Sequence, residues 1–230
     1  MTFRRSLMAA LVLGAGLTLP SAHAAVTIQP GIRMWSAGLG CTTNFVYDGT
    51  GAQGGKVFVG TAAHCVEKIG DAVSDEDDVV WGRVAFIGNA DATETDYAFV
   101  EVLPSALGRV SPAVKGHPGF PVGQPTVASQ TNTGKKLQFS GYGTGFEFTA
   151  TTREKRVGIL MYDDAEIYTT TATIIYGDSG GPVIYKPTGQ AIGIISRLCL
   201  GACEEEGATV QGLLAKAAAR GFTARLRPAR

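Results

Sequence analysis

The chain has 230 residues, with 20 Lys and Arg against 20 Asp and Glu, and 31 glycines. The charge balance offers no basic surface of the kind that nucleic acid or an anionic membrane requires. The length suits one large β domain or two small halves sharing a core.

The N-terminal stretch reads as a secretory signal. Arg4 and Arg5 are followed by an apolar run from Leu7 to Leu19 and then by Ala22-His23-Ala24, with small residues where signal peptidase reads. The run falls short of the roughly 20 apolar residues of a membrane span. Residues 1–24 are therefore expected to be removed on export, leaving a secreted chain from Ala25 to Arg230. Export permits disulfides, and four cysteines allow three pairings. Cys41–Cys65 with Cys199–Cys203 is preferred, although sequence alone leaves the choice open. Zinc is a weak rival, since neither CxxC nor HxxxH spacing occurs. No metal or cofactor is expected.

Short β-type runs then follow one another in chain order. They are "KVFVG" (56–60), "DVVWGRVAFIG" (78–88), "DYAFVEV" (96–102), "KLQFSGYG" (136–143), "RVGILMY" (156–162), "EIYTTTATI" (166–174), "PVIY" (182–185) and "AIGIISRL" (191–198). Each is rich in β-branched and aromatic residues, and many alternate in polarity. Close-set strands without intervening helices predict an all-β antiparallel barrel or sandwich. The acidic run "DAVSDEDD" (71–78) lacks EF-hand spacing and is read as a solvated loop. "VSPAVKGHPGFPVGQPTV" (110–127) is the expected connection between two halves. Only "GLLAKAAARG" (212–221) looks helical, with Gly221 as its stop, and the basic end "RGFTARLRPAR" is expected to be a solvated tail.

Two stretches carry chemistry. "GTAAHC" (60–65) presents His64, and "YGDSGGPV" (176–183) sets Ser179 among three glycines. Glycines allow a sharp turn that can aim two backbone N–H groups at one point, as an oxyanion hole requires. The same segment matches the G-x-S-x-G elbow of α/β-hydrolases, but that fold needs a histidine after the serine and none follows Ser179. A serine hydroxyl needs a base, so the base lies upstream. His64 is the candidate; His117, in the Pro/Gly connection, is read as a surface imidazole. An acid must hold the imidazole in one tautomer. Asp96, opening an apolar strand, is preferred over Asp91 in "NADATE".

"TAAHC", "DYAFV" and "GDSGGPV", in this order, resemble the three signature blocks of the chymotrypsin-like (trypsin-like) serine protease family, in its bacterial secreted form. The resemblance spans roughly Cys41 to Leu214. It implies two six-stranded antiparallel β-barrels, about 33–110 and 125–215, with the site between them and a short C-terminal helix. It implies that Cys41–Cys65 staples the histidine loop. It assigns Ser179 as nucleophile, His64 as base and Asp96 as its orienting acid. The N–H groups of Gly177 and Ser179 would form the oxyanion hole, which Asp178 would shape by folding inward. Ser196 would support the buried acid and begin the strand that pairs with substrate.

The chain departs from animal family members in having no Ile- or Val-led activation sequence whose ammonium could pair with Asp178. Arg153, Arg156 and Arg197 are the internal candidates for that role. The residue six before the serine, which family logic puts at the pocket base, is Thr173, so apolar or small side chains are expected over Arg or Lys. Leu198 would narrow the pocket mouth. "CEEEG" (203–207) is read as an exposed acidic turn, with a pocket-reaching glutamate as the rival. The expected activity is endopeptidase, acting as a monomer on protein or peptide substrates through an acyl-enzyme. The alternatives are a non-catalytic binding protein of the same fold and an esterase using the same triad.

Overall fold

The computed structural model describes residues 26–123, 125–143, 156–198 and 205–229. The expectations for residues 1–24, for Cys199–Cys203 and for Arg153 lie outside these residues. The first half contributes β1 (Arg33–Ser36), β2 (Leu39–Thr42), β3 (Val46–Gly49), β4 (Val57–Thr61), β5 (Ala72–Ser74), β6 (Val80–Ile87) and β7 (Ala98–Val102). The second contributes β8 (Lys136–Phe139), β9 (Arg156–Asp163), β10 (Ile167–Thr170), β11 (Pro182–Tyr185), β12 (Gln190–Ile194), β13 (Arg197–Leu198) and β14 (Glu205–Ala208). Helix α1 (Val210–Ala219) and strand β15 (Ala224–Leu226) close the chain.

Pairing is antiparallel throughout both sheets, in the orders β15-β3-β4-β7-β6-β5-β1-β2 and β12-β11-β8-β9-β10-β14-β13. The chymotrypsin-like architecture expected from the sequence is thus present. Its described sheets hold eight and seven strands rather than six each. The C-terminal β15 adds itself to β3, and β13 is a two-residue strand against β14.

Each sheet buries one face. The first core contains Phe45, Tyr47, Phe58, Trp81 and Phe99, and the second Leu137, Phe139, Leu160, Tyr168 and Ile195. In β9 the burial alternates over Arg156–Leu160, the period-two signature of a strand with one wet face. Helix α1 is capped by Thr209, whose hydroxyl accepts from Gly212 N–H at 2.9 Å, and Gly221 ends it with φ +82°. Among the described residues no helix is long and apolar enough to cross a membrane.

Three loop expectations are corrected. The basic C-terminal run is not a solvated tail. Phe222 stacks on Phe99 with centroids 4.7 Å apart, β15 pairs with β3, and Arg227 pairs with Asp48. Burying one such phenylalanine is worth about 1.5–3 kcal/mol, which outweighs the preference of the flanking arginines for water. His117 is buried, because the Pro/Gly connection folds back through the bridge Val114–His117. Within the acidic run, Ala72–Ser74 forms β5, and Asp75 is buried beneath Arg109 at 2.7 Å. A buried carboxylate needs such a partner.

Candidate active site

His64 sits in a single 3-10 turn, Ala63–Cys65, whose two outer residues are buried. Cys65 is bonded to Cys41 at the end of β2, with Cα atoms 6.1 Å apart, so the turn is tied to the sheet. The Cys41, His64 and Cys65 donor atoms lie close together, but both sulfurs are spent in the disulfide and offer no thiolate to a metal.

Asp96 precedes β7 and is fully buried. Its Oδ1 accepts from His64 N–H at 3.1 Å, its Oδ2 lies 2.8 Å from His64 Nδ1, and Ser196 Oγ donates to Oδ2. A carboxylate only accepts, so His64 Nδ1 carries a proton, and in the neutral ring Nε2 is the basic nitrogen. Burial by itself raises the Asp96 carboxyl. The hydrogen bonds and charge of His64 and the hydroxyl of Ser196 outweigh it, and the group lies below the ordinary carboxylate value. The His64 ring remains about two-fifths exposed, at 39%.

Ser179 occupies the turn before β11, and its carbonyl accepts from Thr42 N–H at 2.9 Å. Gly177 has φ +96°, a conformation that an L side chain rarely adopts. Thr42 Oγ1 donates to Gly177 carbonyl at 2.7 Å, which holds that peptide's oxygen against β2. Among the described residues, no protein acceptor is used by the N–H groups of Gly177 and Ser179.

Between them Asp178 turns inward and is fully buried. Arg156 grips it with two bonds, Nη1 to Oδ2 at 2.6 Å and Nη2 to Oδ1 at 2.8 Å. Gly143 N–H and Ile175 N–H add bonds of 2.8 and 2.9 Å to the same carboxylate. The packing is so close that a Cβ on Gly141 would lie 2.4 Å from both Arg156 Nη2 and Asp178 Oδ1. Of the arginines considered from the sequence, Arg156 is the partner. Arg197 instead reaches the Ala90 carbonyl and Glu206.

His64 and Ser179 open onto one cavity of about 400 Å³, walled by Ile174, Ile175, Tyr176, Ser196, Arg197 and Leu198. Their side chains are not hydrogen-bonded to each other here; such bonds often tighten only with substrate bound. Tyr176 and Leu198 stand at the mouth, 90% and 59% exposed. The structure does not bring Thr173 to this cavity. Thr173 is an exposed residue, and its carbonyl accepts from Arg156 Nη1 at 3.0 Å. Asp91 is not part of the cluster either; it lies on an exposed turn.

The expected acidic turn is revised over residues 205–207; Cys203 and Glu204 lie outside the described residues. Glu205 is fully buried in β14, and Glu206 is half-buried. Neither lines the cavity. Tyr168 Oη lies 3.1 Å from Ile194 carbonyl and 2.9 Å from Glu205 Oε1. One phenolic proton cannot serve two pure acceptors, so satisfying both contacts requires a neutral Glu205 that donates. Burial drives its pKa well above the ordinary value, against the weaker downward pull of Tyr168 and the Ser196 amide. Glu205 and Tyr168 carry no motif. Only their burial, invisible in the sequence, marks them.

A family model described as trypsin-like peptidase domain matches residues 41–194. No curated protein matches the sequence. Among solved structures, the chain is similar to Thermobifida fusca protease A, at 22% identity and a TM-score of 0.58, covering 88% of this chain and all of that one. Nocardiopsis protease is similar at 21% identity and a TM-score of 0.59, with 88% and 100% covered. Cellulomonas bogoriensis chymotrypsin gives 21% and 0.56, with 89% and 100% covered. These likenesses establish the fold, and the match over residues 41–194 carries the classification: the chain belongs to the trypsin-like peptidase family.

Proposed function

We propose that this protein is a secreted serine endopeptidase whose nucleophile is Ser179, base His64 and orienting acid Asp96. The observation that carries the reading is that the buried Asp96 is engaged by His64 Nδ1 and by Ser196, both of which line the same cavity as Ser179.

Ser179 Oγ attacks the scissile carbonyl while its proton passes to His64 Nε2. The carbonyl oxygen becomes an oxyanion, which the N–H groups of Gly177 and Ser179 bind; losing one such donor costs about 3 kcal/mol of barrier. The C–N bond breaks as His64 returns the proton to the leaving amine. Water then enters, gives a proton to His64 and hydrolyses the acyl ester, which regenerates Ser179. Asp96 stabilises the transient imidazolium without taking its proton. Thr42 and the Arg156–Asp178 pair support this reading by holding the turn that carries the oxyanion amides.

The acyl-side cavity favours an uncharged side chain. Its described wall is mainly apolar, with Ile174, Ile175, Tyr176 and Leu198; the guanidinium of Arg197, which also borders it, is engaged by the Ala90 carbonyl and Glu206, and neither Glu205 nor Glu206 is within it. The segment 1–24 is removed on export, and the remaining chain acts as a monomeric single enzyme domain on protein or peptide substrates.

Fluorophosphonate labelling with peptide mapping tests the reading. An adduct on Ser179 in the parent but not in His64→Ala is expected, together with cleavage of peptides after apolar residues. A folded, disulfide-intact protein that takes no label would instead be a non-catalytic binder. Labelling with ester but no peptide turnover would make it an esterase.

A further inference from the structure

On one side of Ser179 lies the apolar cavity; on another lies β2, whose Thr42 N–H holds the Ser179 carbonyl. β2 is the last strand of the first sheet and, among the described strands, pairs only with β1. The Thr42 N–H and carbonyl are taken by Ser179 and Thr61, so an extended segment leaving the scissile bond away from the cavity can add to this edge at Gly40, as peptides commonly do at strand edges.

The register of β1 and β2 determines what such a segment meets. Arg33 lies opposite Thr42, and Trp35 opposite Gly40. Arg33 and Trp35 share the partly exposed face of β1, while Met34 and Ser36 point inward. The Trp35 ring lies 2.9 Å from where a Cβ on Gly40 would stand, so glycine there lets the indole cover the edge strand. The Arg33 guanidinium sits 4.4 Å above the Trp35 ring and 5.9 Å from Tyr142. Tyr142 N–H donates to the same Thr42 Oγ1 that holds Gly177, at 2.9 Å. The cluster is therefore linked to the serine turn by direct bonds.

Charge adds the second part. Arg33 has no ion-pair partner among the described residues; stacking alone holds it, and stacking leaves its N–H groups available. Lys115 Nζ lies 5.0 Å over the Tyr142 ring, and Tyr142 Oη donates to Glu76 at 3.0 Å. Arg33 thus brings an available positive charge to this edge. A planar fork held on an aromatic platform suits a carboxylate.

We infer that Arg33, stacked on Trp35, selects substrates carrying an acidic side chain within the first two residues beyond the scissile bond. This rests on the endopeptidase reading and adds a preference on the leaving-group side that the apolar cavity does not supply. Arg33 touches substrate outside the reacting atoms and is a specificity residue.

The test is a set of internally quenched peptides with one constant acyl side and Glu, Gln or Lys in the two leaving-group positions. Glu is expected over Lys by up to about fivefold in kcat/KM, the size that an exposed charge pair supports. The preference should shrink as salt is raised. Arg33→Gln should flatten it, and Arg33→Lys should keep part of it. Equal cleavage of all three peptides by the parent overturns the inference alone. A preference that survives Arg33→Gln overturns the assignment to Arg33. No cleavage of any peptide overturns the endopeptidase reading as well.

Discussion

Arg156 and Asp178 form a two-pronged ion pair with both side chains buried, directly behind the turn that carries Ser179. The pair holds Asp178 from within the chain, through one of the internal arginines that the sequence offered for that role. Its carboxylate also collects the N–H groups of Gly143 and Ile175, so four donors determine one turn.

Removing one partner leaves the other charged and buried. Arg156→Met should cost about 3–5 kcal/mol of stability, the usual result of breaking rather than replacing a buried pair. Arg156→Lys should restore little, because an ammonium cannot make both prongs. Denaturant unfolding measures the first effect, and the rate of fluorophosphonate labelling of Ser179 should fall with it. Unchanged stability and labelling in Arg156→Met would detach the pair from the site.

Asp96→Asn should preserve the packing yet present the wrong His64 tautomer. A fall of about 10⁴ in kcat is expected, with a small change in KM. Ser196→Ala removes one donor to the same carboxylate and should cost less. Steady-state kinetics on one peptide substrate separates the two. A fall confined to KM in Asp96→Asn would argue against Asp96 as the orienting acid.

The lowered Asp96 carboxyl links folding to acid. Its contribution to stability is present above the unfolded-state pKa and is lost as pH falls through the lower folded value. Thermal unfolding of the parent should therefore weaken across the acid range by more than that of Asp96→Asn. Parallel curves would mean that the carboxyl is not held down in the fold.

Glu205 has the opposite sign. Its folded pKa lies above the unfolded one, first because of burial. The neutral acid's stabilisation is complete below the unfolded pKa and is lost as pH rises through the folded value. Glu205→Gln keeps the shape and cannot ionise. It should hold its Tm where the parent declines as pH rises above the ordinary carboxylate range, and calorimetry across pH reads the difference directly. Parallel curves above that range would mean that Glu205 is ionised and compensated in the native state.

The Cys41–Cys65 bond closes a loop with a sequence separation of 24. The paired Cys41→Ser and Cys65→Ser substitutions should lower unfolding free energy by about 3 kcal/mol. His64 should then be less well held against Asp96, so labelling of Ser179 should slow before the fold is lost. Urea titration and labelling on the same samples test both parts.

What the sequence determined by itself is what depends on local order along the chain. Strand-forming runs were legible because β-branched residues and period-two alternation are local. So were the candidates His64, Asp96 and Ser179, because each sits in a short block whose order along the chain is informative. Which distant groups meet depends on how the sheets pair and pack. Arg156 rather than Arg197 reaches Asp178 because β9 runs behind the serine turn, a consequence of sheet register. Thr173 meets Arg156 through its carbonyl, a main-chain contact that its identity could not announce. Glu205 reads as one of three acids in a turn, yet strand pairing between β14 and β10 sets it fully buried against Tyr168. The basic C-terminus reads as solvated, yet Phe222 and Leu226 find the first core. In each case a non-local contact overrode a local preference, since burial energy depends on neighbours that a linear chain does not reveal.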